Sequence, residues 1–589
     1  MNFSVRRVAG LLVLVMVTLS SSAQDVEAIV ADLATVEDRG PEITGGIALD
    51  SRFYDASGIG ARRDNHQWSA RANLTLSLGG LQAPFSFVFS DANRNFNLPA
   101  YTFTGISPRY KWATVHAGDR AMALSPYTMS GISFRGAGVE LTPGKLEFKT
   151  FYGRLNRALA ADLDALGNLN GLYRRDGYGA RLGYADRGFS YALNYFAARD
   201  DSGSGGTLAP DAGLSPVDNT VLSLEGRQQV GKRVSLGGEY ARSLFNRDLR
   251  AAALPAGERN FGNQLFGLFT PTETTEVGSA YNLNAYYGAD RLGLRLGYER
   301  VTRGFRTLGA LFFNNDTEHL TAGVNYSLLE NRLSFFVNTG VEATNLDDRE
   351  LESTKRLIGS ANVSYRPNDD WNYSLNFSNF RNDTKLRAAT DLDLAVDSIF
   401  LAQVTRATGG SVTRTFGTKD RPANLNLMLN HQRANNVIND EVDAAARTRF
   451  TVAALTYAGG NPGLGLRYHA GLTFNQTDLA GFGATIFTPT AGLTKTFLDG
   501  DVSTNARTSL SFVQQDAGGD NRILNLGLGG SYRLANSHRI TFSGTFLDRS
   551  GAVDPSRNFR EVYAQLGYGF NFGGTLQSLR RTVATDPQK

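Results

Sequence analysis

The chain contains no cysteine and, beyond its first segment, no long run of hydrophobic residues. A membrane-spanning helix needs about 20 consecutive apolar residues, so the negative mean hydropathy and the missing runs exclude a bundle of membrane helices. The absence of cysteine fits an exported bacterial protein that avoids unwanted disulfides. Proline and tryptophan are also scarce, whereas glycine and aromatic residues are abundant.

The N-terminal segment predicts export. Arg6 and Arg7 precede the apolar run LLVLVMVTL, and the small residues SSA at 21–23 offer a cleavage site, so residues 1–23 are predicted to be a signal peptide. Without these two arginines, 58 basic residues face 56 acidic ones, and the mature net charge is +2. So balanced a charge gives no reason to expect a nucleic-acid partner.

A short amphipathic helix is predicted directly after the signal peptide. In DVEAIVADLATVEDRG, apolar residues recur at helical spacing and Asp25 offers an N-cap, so residues 24–40 are interpreted as a periplasmic helix and linker. This helix would either plug a pore from below or dock onto a periplasmic partner.

From Pro41 onward the chain alternates with a period of two. In QWSARANLTLSL (67–78), LGLRLGYE (292–299) and LNLGLGGSYRL (524–534), leucines and aromatic residues fall on one face and small or polar residues on the other. In a soluble sandwich the apolar face would be the core, and in a transmembrane barrel it would face lipid. Small and polar faces on this many strands make a poor soluble surface but a good water-filled lumen.

The lengths of the connections alternate as well. Short turns such as ANSHR, LDGD, PNDD and GADR occur at every second connection, and the longer loops between them are expected near 153–177, 199–219, 244–275, 303–316, 345–355, 382–397 and 434–448. Outer-membrane barrels have short periplasmic turns and long external loops. We therefore expect an all-β fold: a single transmembrane antiparallel up-and-down β-barrel of about 26 strands (24–26) over residues 41–573. Together with the signal peptide, this barrel predicts a location in the Gram-negative outer membrane, and the even strand number with short periplasmic turns predicts both termini and a C-terminal tail (574–589) in the periplasm.

Two segments resemble known families. QLGYGFNF, with Gln565, Gly567, Phe570 and Phe572, resembles the C-terminal assembly signal of Gram-negative outer-membrane barrels, which implies the barrel-assembly machinery as a partner during biogenesis. The block FTGISPRYKWATVHAGDRAMALSPYTMSGISFRGAGVELTPGK, from residue 103, resembles a family of large outer-membrane barrels whose function is not established. It also bears a faint likeness to fimbrial ushers at five positions: Gly118, Asp119, Phe134, Arg135 and Gly136. Ushers carry a plug domain and periplasmic domains at both ends, and neither fits the connections of this chain.

The pattern assigns candidate site residues by strand face and loop. Predicted lumen-lining residues are Arg71, Asn73, Arg295, Glu299, Arg507, Asn525 and Arg533, and their mixed charge predicts weak anion selectivity. The apolar loop within 244–275 predicts a constriction or a docking site for a partner, carried by Phe261, Leu265, Phe266, Leu268 and Phe269; hydrophobic extensions of the strands are the alternative. Interfacial girdle positions are expected at Trp68, Trp112 and Trp371.

No catalytic constellation is visible in the sequence. HExxH, GxxxxGK[ST] and GxSxG motifs are absent and the six histidines are scattered, so we expect no enzyme activity, no catalytic residues, no cofactor and no metal site. The leading hypothesis is a large pore or translocation conduit, closed at rest by its loops or by a plug, periplasmic or surface protein. The alternative is a plugged structural barrel whose external loops anchor another surface protein or a glycan. Outer-membrane lipids are expected partners in both cases.

Overall fold

A computed structural model describes residues 41–78, 81–91, 103–158, 172–204, 214–310, 314–386, 399–438, 441–479, 481–516, 519–534, 537–551 and 557–575. The predicted signal peptide, the predicted helix over 24–40 and all but the first two residues of the predicted tail lie outside these ranges. None of the described helices, the longest of which is Phe261–Gln264, is long and apolar enough to cross a membrane.

The described chain is a succession of 26 barrel strands. Their bounds are β1 (Glu42–Ser57), β2 (His66–Leu78), β3 (Leu81–Ser90), β4 (Phe103–Ile106, continuing as Arg109–Tyr110), β5 (Ala113–Ala121), β6 (Ser133–Leu141), β7 (Leu146–Asn156), β8 (Arg175–Asp186), β9 (Phe189–Asp200), β10 (Asp218–Val230), β11 (Val234–Asn246), β12 (Thr275–Gly288) and β13 (Leu292–Val301) in the first half. The second half comprises β14 (Thr317–Leu328), β15 (Leu333–Thr344), β16 (Glu352–Tyr365), β17 (Trp371–Leu386), β18 (Ile399–Thr418), β19 (Arg421–Ile438), β20 (Glu441–Asn461), β21 (Leu466–Leu479), β22 (Phe482–Phe497), β23 (Val502–Gln515), β24 (Asn521–Leu534), β25 (His538–Ser550) and β26 (Phe559–Thr575).

The sheet closes on itself. Each strand pairs antiparallel with the next along the chain, and β1 pairs with β26 along its whole length, from Glu42 opposite Thr575 to Ser57 opposite Arg560. Closure leaves none of the described barrel strands at a free sheet edge. The predicted closed antiparallel barrel of about 26 strands is confirmed.

The two faces of the wall differ in chemistry. Leu49 on β1 and Trp68 on β2 are about half exposed on one face. On the other face, the Arg71 guanidinium on β2 donates to Asp50 on β1 at 2.6 Å. Residues 122–129 pack against this second face on strands from β6 to β13, which a short loop can do only on the concave side of a closed wall. This face is therefore the lumen, and the apolar face is the outside.

One predicted long loop is wrong. Residues 434–448 were expected to be a loop, but β19 continues to Ile438 and β20 begins at Glu441, with a bulge where Ala434 and Asn436 shift register. Strands β18 to β20 are 18–21 residues long, more than a hydrocarbon layer requires. From His431 to Asn436 on β19 polar residues occupy both faces, so the apolar alternation that marks a strand in the sequence is missing there.

Candidate functional site

The connection between β5 and β6, residues 122–132, folds into the lumen; we call it the inner loop. Met129 and Tyr127 are at most 2% exposed, and Met122 and Leu124 are also buried. They pack on a cluster that spans the lumenal faces of β6 to β13. An 11-residue loop reaches that many strands only along a chord across the inside of a curved wall.

Small residues in the wall make room for the inner loop. A Cβ on Gly179 of β8 would lie 2.7 Å from Leu124 Cδ1, and one on Gly138 of β6 would lie 3.0 Å from Met122 Cε. Beside these gaps stand the aromatic rings of Phe134, Phe151 and Phe196, with neighbouring centroids 4.8 and 6.4 Å apart. Burying a large side chain of this kind contributes about 1.5–3 kcal/mol, so the apolar contacts hold the loop against the wall.

Arg181 on β8 is the polar anchor of the inner loop. Its Nη1 donates to the Leu124 carbonyl at 2.9 Å and to Glu225 at 2.7 Å, and its Nε donates to Glu147 at 2.8 Å. The guanidinium also donates to Asn194 at 2.9 Å. One side chain thus joins the loop to four strands, and charge-assisted bonds of this kind are the stronger class.

Tyr127 fixes the tip of the inner loop to the far side of the cluster. Its hydroxyl donates to Glu299 on β13 at 2.5 Å. Burial, and then the contact with Glu299, raise the pKa of Tyr127, so the phenol keeps its proton and remains a donor. The Tyr127 ring also contacts the Phe305 ring edge to face, with the ring centroids 5.9 Å apart.

A second loop, residues 302–316, lies beside the inner loop; we call it the companion loop, and its residues 311–313 fall outside the described ranges. Gly309 and Ala310 pair in parallel with Met129 and Ser130 of the inner loop. Thr307 Oγ1 donates to the Thr128 carbonyl at 2.7 Å. The two loops therefore form one unit inside the barrel.

The companion loop lies directly on the wall. A Cβ on Gly278 of β12 would lie 2.0 Å from the Phe305 nitrogen, and Phe305 itself is fully buried. Asn219 of β10 bonds the loop on both sides: its Nδ2 donates to the Arg306 carbonyl at 3.1 Å and its Oδ1 accepts from the Leu308 N–H at 3.0 Å. Two backbone groups of the loop thus find their hydrogen-bond partner in one wall side chain.

The usher-like positions frame the root of the inner loop. Arg135 donates two hydrogen bonds of 2.7 Å to Asp119 across β5 and β6. Gly118 has φ +91°, which favours glycine, and a Cβ on Gly136 would lie 2.1 Å from the Tyr152 carbonyl oxygen. Phe134 is the first wall residue, in chain order, of the buried cluster that the inner loop packs on. These residues hold the two strands from which the inner loop departs.

Comparison with known proteins gives a likeness of fold. No protein-family model and no curated protein matches the chain. Among solved structures, the translocation pore of the P pilus usher (PapC) is 12% identical with a TM-score of 0.40, covering 90% of this chain and 100% of that one. BauA, the ferric preacinetobactin receptor from Acinetobacter baumannii, is 9% identical with a TM-score of 0.39, covering 89% and 80%. The FrpB iron transporter from Neisseria meningitidis is 13% identical with a TM-score of 0.33, covering 92% and 83%. These scores are low, and the fold described above rests on the strand pairing of this chain.

The predicted lumen-lining residues all lie on the face opposite the exposed apolar side chains: Arg71, Asn73, Arg295, Glu299, Arg507, Asn525 and Arg533. Glu299 belongs to the buried cluster through Tyr127. Arg533 lies 3.6 Å from Asp501, and the Arg295 guanidinium lies 5.7 Å from the Tyr286 ring centroid. Apart from Glu299, the structure distributes these residues around the wall and does not gather them into one site.

The predicted constriction in loop 244–275 is wrong in its position. Leu265 and Phe269 pack against Leu222, Leu244 and Val277. These three wall residues share the strand face of the exposed Leu224, Tyr240 and Leu283, which is the outside of the barrel. The loop folds back over the outer surface because that surface is apolar at the rim.

The other residues of this loop remain available to a partner. Phe261 and Phe266 are 61% and 75% exposed, and their ring centroids are 4.6 Å apart. Leu268 is also exposed. The predicted docking role thus stays a prediction for these three side chains.

The girdle tryptophans and the aromatic residues of the assembly signal lie towards the ends of their strands, whereas Gln565 and Gly567 lie in the middle of β26. Trp371 stacks on Tyr373 at 5.7 Å, and Trp68 is exposed near the opposite rim. Trp112 lies half-buried in the turn between β4 and β5, where its carbonyl accepts from Thr142. Phe570 and Phe572 stack 5.2 Å apart on β26, while Gln565 on the opposite face donates to Asp50 at 3.2 Å.

Sequence reasoning missed the inner loop as a site. Its apolar residues Met122, Leu124 and Met129 are spaced in MALSPYTM as they would be in a strand end or a surface loop. The signal that could have found it lies elsewhere, in Gly138 and Gly179, which leave gaps on the lumenal face of two strands.

Proposed function

We propose that the protein is an integral outer-membrane β-barrel that acts as a large pore or translocation conduit, with both termini in the periplasm. With strands about 4.8 Å apart and tilted about 40°, 26 strands enclose a backbone diameter of about 50 Å, too wide for side chains to fill. The apolar outer face and the polar inner face support a membrane location.

The observation that carries the proposal is the pair of loops packed inside the wall. The inner loop and the companion loop occupy the lumenal sector from β6 to β13 and are tied to it by Arg181, Tyr127 and Asn219. In this proposal they narrow the conduit, and their release widens it. The inner loop and the companion loop thus take the role of the constriction that the sequence predicts at 244–275.

Planar-bilayer conductance of matched loop replacements tests the proposal. Ala121 lies opposite Ser133, so a two-residue Asn-Gly turn can replace residues 122–132 without moving the strands. Asn246 lies opposite Thr275, and the same turn can replace 247–274 as the control. We expect several-fold larger unitary currents from the first variant and native currents from the control.

A plugged anchoring barrel is the second candidate, favoured by the exposed Phe261 and Phe266. If the native protein and both variants insert but carry no current, the conduit is refuted and the anchoring function leads. If the control variant alone opens the pore, loop 247–274 closes the lumen and the position proposed for the constriction is wrong.

A further inference from the structure

Three arginines lie side by side on consecutive strands. Arg406 on β18 is the cross-strand partner of Arg433 on β19, and Arg433 is in turn the partner of Arg449 on β20. We call these three residues the arginine row. Like charges directly opposite each other destabilise a sheet, so this arrangement is unfavourable unless an anion lies against it.

The arginine row is on the outside of the barrel. Leu429 on β19 shares the strand face of Arg433 and is 55% exposed. Four residues below the row, the same face carries Leu429, Ala453 and Phe474 as successive cross-strand partners. The row thus stands just above apolar wall.

Its height matches the border of the hydrocarbon layer. The ring of Trp371 and its stacking neighbour Tyr373 mark the opposite rim, and Trp371 is the cross-strand partner of Arg414. Arg414 and Arg406 are eight residues apart on β18, which at about 3.4 Å per residue and a tilt of about 40° is about 21 Å along the barrel axis. An outer-membrane barrel has an apolar band about 25 Å tall, so the row lies at the upper border of that band, from which long arginine side chains reach the headgroups.

The row has no carboxylate partner among the described residues. Arg406 Nε donates to Asn379 at 3.2 Å and Arg433 Nε donates to Asn435 at 3.0 Å, which leaves their terminal amino groups for other acceptors. Asp478, the cross-strand partner of Arg449, forms no ion pair with it in the part of the chain that the structure describes.

A fourth arginine adds to the charge beside the row. Arg447 sits in the bulged part of β20, and its Nε is buried and has no hydrogen-bond partner among the described residues. On the neighbouring strand β17, Arg381 is neutralised by Asp383 at 2.8 Å. The local charge is therefore strongly positive.

We propose that the arginine row, with Arg447, binds the phosphorylated headgroup of an outer-leaflet lipid. Guanidinium groups match phosphate oxygens with paired hydrogen bonds, and three strands spaced about 4.8 Å apart span about 10 Å, room for more than one phosphate. A headgroup held here leaves its acyl chains on the apolar wall around Leu429 and Ala453. The choice of leaflet rests on the proposed orientation of the barrel.

The test compares two triple variants of the full chain purified in detergent. Arg406→Gln, Arg433→Gln and Arg449→Gln together remove the row. Arg366→Gln, Arg421→Gln and Arg467→Gln together remove three exposed arginines at the opposite end of the same sector. Native mass spectrometry after addition of lipid A, a diphosphorylated glucosamine lipid, counts bound lipid per barrel. We expect binding at least about tenfold weaker in the row variant and unchanged in the control, since charged hydrogen bonds are lost.

Thermal unfolding separates a lipid site from a structural role. Without lipid, the row variant should unfold at the same or a higher temperature than the native protein, because it lacks the repulsion among the arginines. With lipid A, only the native protein and the control should be stabilised.

Three results would overturn the proposal. The first is equal lipid binding by the native protein and the row variant, and the second is a lower unfolding temperature of the row variant without lipid. The third is equal stabilisation by pyrophosphate at the same phosphate concentration, which would make the row a site for soluble anions. Lipid counting in detergent requires neither conduction nor orientation, so its failure is separate from failure of the conduit.

Discussion

Arg181 shows how one side chain decides the position of a whole loop. It bonds Glu147, Glu225 and Asn194 on the wall and the Leu124 carbonyl on the inner loop. Losing a hydrogen bond to a charged group costs about 1.5–3 kcal/mol, and here the loss would also leave two carboxylates near each other. The inner loop should therefore leave the wall when Arg181 is replaced.

Thiol labelling measures this release, because the natural chain has no cysteine. Met129→Cys places a single thiol at a fully buried position. Adding Arg181→Met should speed its reaction with a maleimide about ten- to a hundredfold, the factor that about 1.5–3 kcal/mol implies. Arg187→Met, in the exposed turn of the same hairpin, is the control and should leave the rate unchanged. Equal rates with both changes would mean that Arg181 does not hold the loop.

At the scale of strands and loops, contact between backbone atoms sets how closely the companion loop approaches the wall. The Phe305 backbone occupies the space that a Cβ on Gly278 of β12 would need. Gly278→Ala should displace the companion loop and lower the free energy of unfolding by about 1–3 kcal/mol, the usual cost of overpacking. Denaturant unfolding measures the change. Gly359→Ala, whose Cβ would meet nothing within 4 Å, is the control, and equal losses in both variants would contradict the assignment.

The same scale explains which elements could be predicted from the sequence. The strand Leu292–Val301 follows from alternation alone, since a period of two fixes which residues share a face. The position of the loop over 247–274 does not follow from the sequence, because its apolar residues could pack on either of two apolar surfaces, the lumenal cluster or the outer rim. The destination depends on Leu222, Leu244 and Val277, which only the assembled wall brings together. The same holds for the inner loop, because the wall cluster that it packs on forms only when the strands assemble.

At the scale of the whole molecule, the lumen presents a nearly balanced charge. Two of the predicted arginines are neutralised, Arg71 by Asp50 and Arg533 by Asp501. Arg507 has no ion pair among the described residues. Since the remaining excess is small and the bore is wide, fields from the wall are screened within about 8–10 Å at physiological salt.

Reversal potentials across a potassium chloride gradient test this balance. We expect an anion-to-cation permeability ratio within about a factor of two of unity, because a wide lumen keeps most ions beyond the screening length. Arg507→Glu should shift the ratio toward cations, whereas Arg533→Gln, which removes an already paired charge, should shift it less. A strong native preference for either ion would show that a narrower, charged passage controls conduction.

The pairing of β1 with β26 determines when the barrel can close during its biogenesis. The two strands lie more than 500 residues apart in sequence, yet they share a continuous ladder from Glu42 to Ser57. Until Phe559–Thr575 has been delivered, β1 has an exposed edge that invites pairing with another chain. Completion therefore waits for the last part of the polypeptide, and a nascent barrel must be sheltered through nearly the whole of its export. Chain length thus sets the interval during which this protein is vulnerable to aggregation.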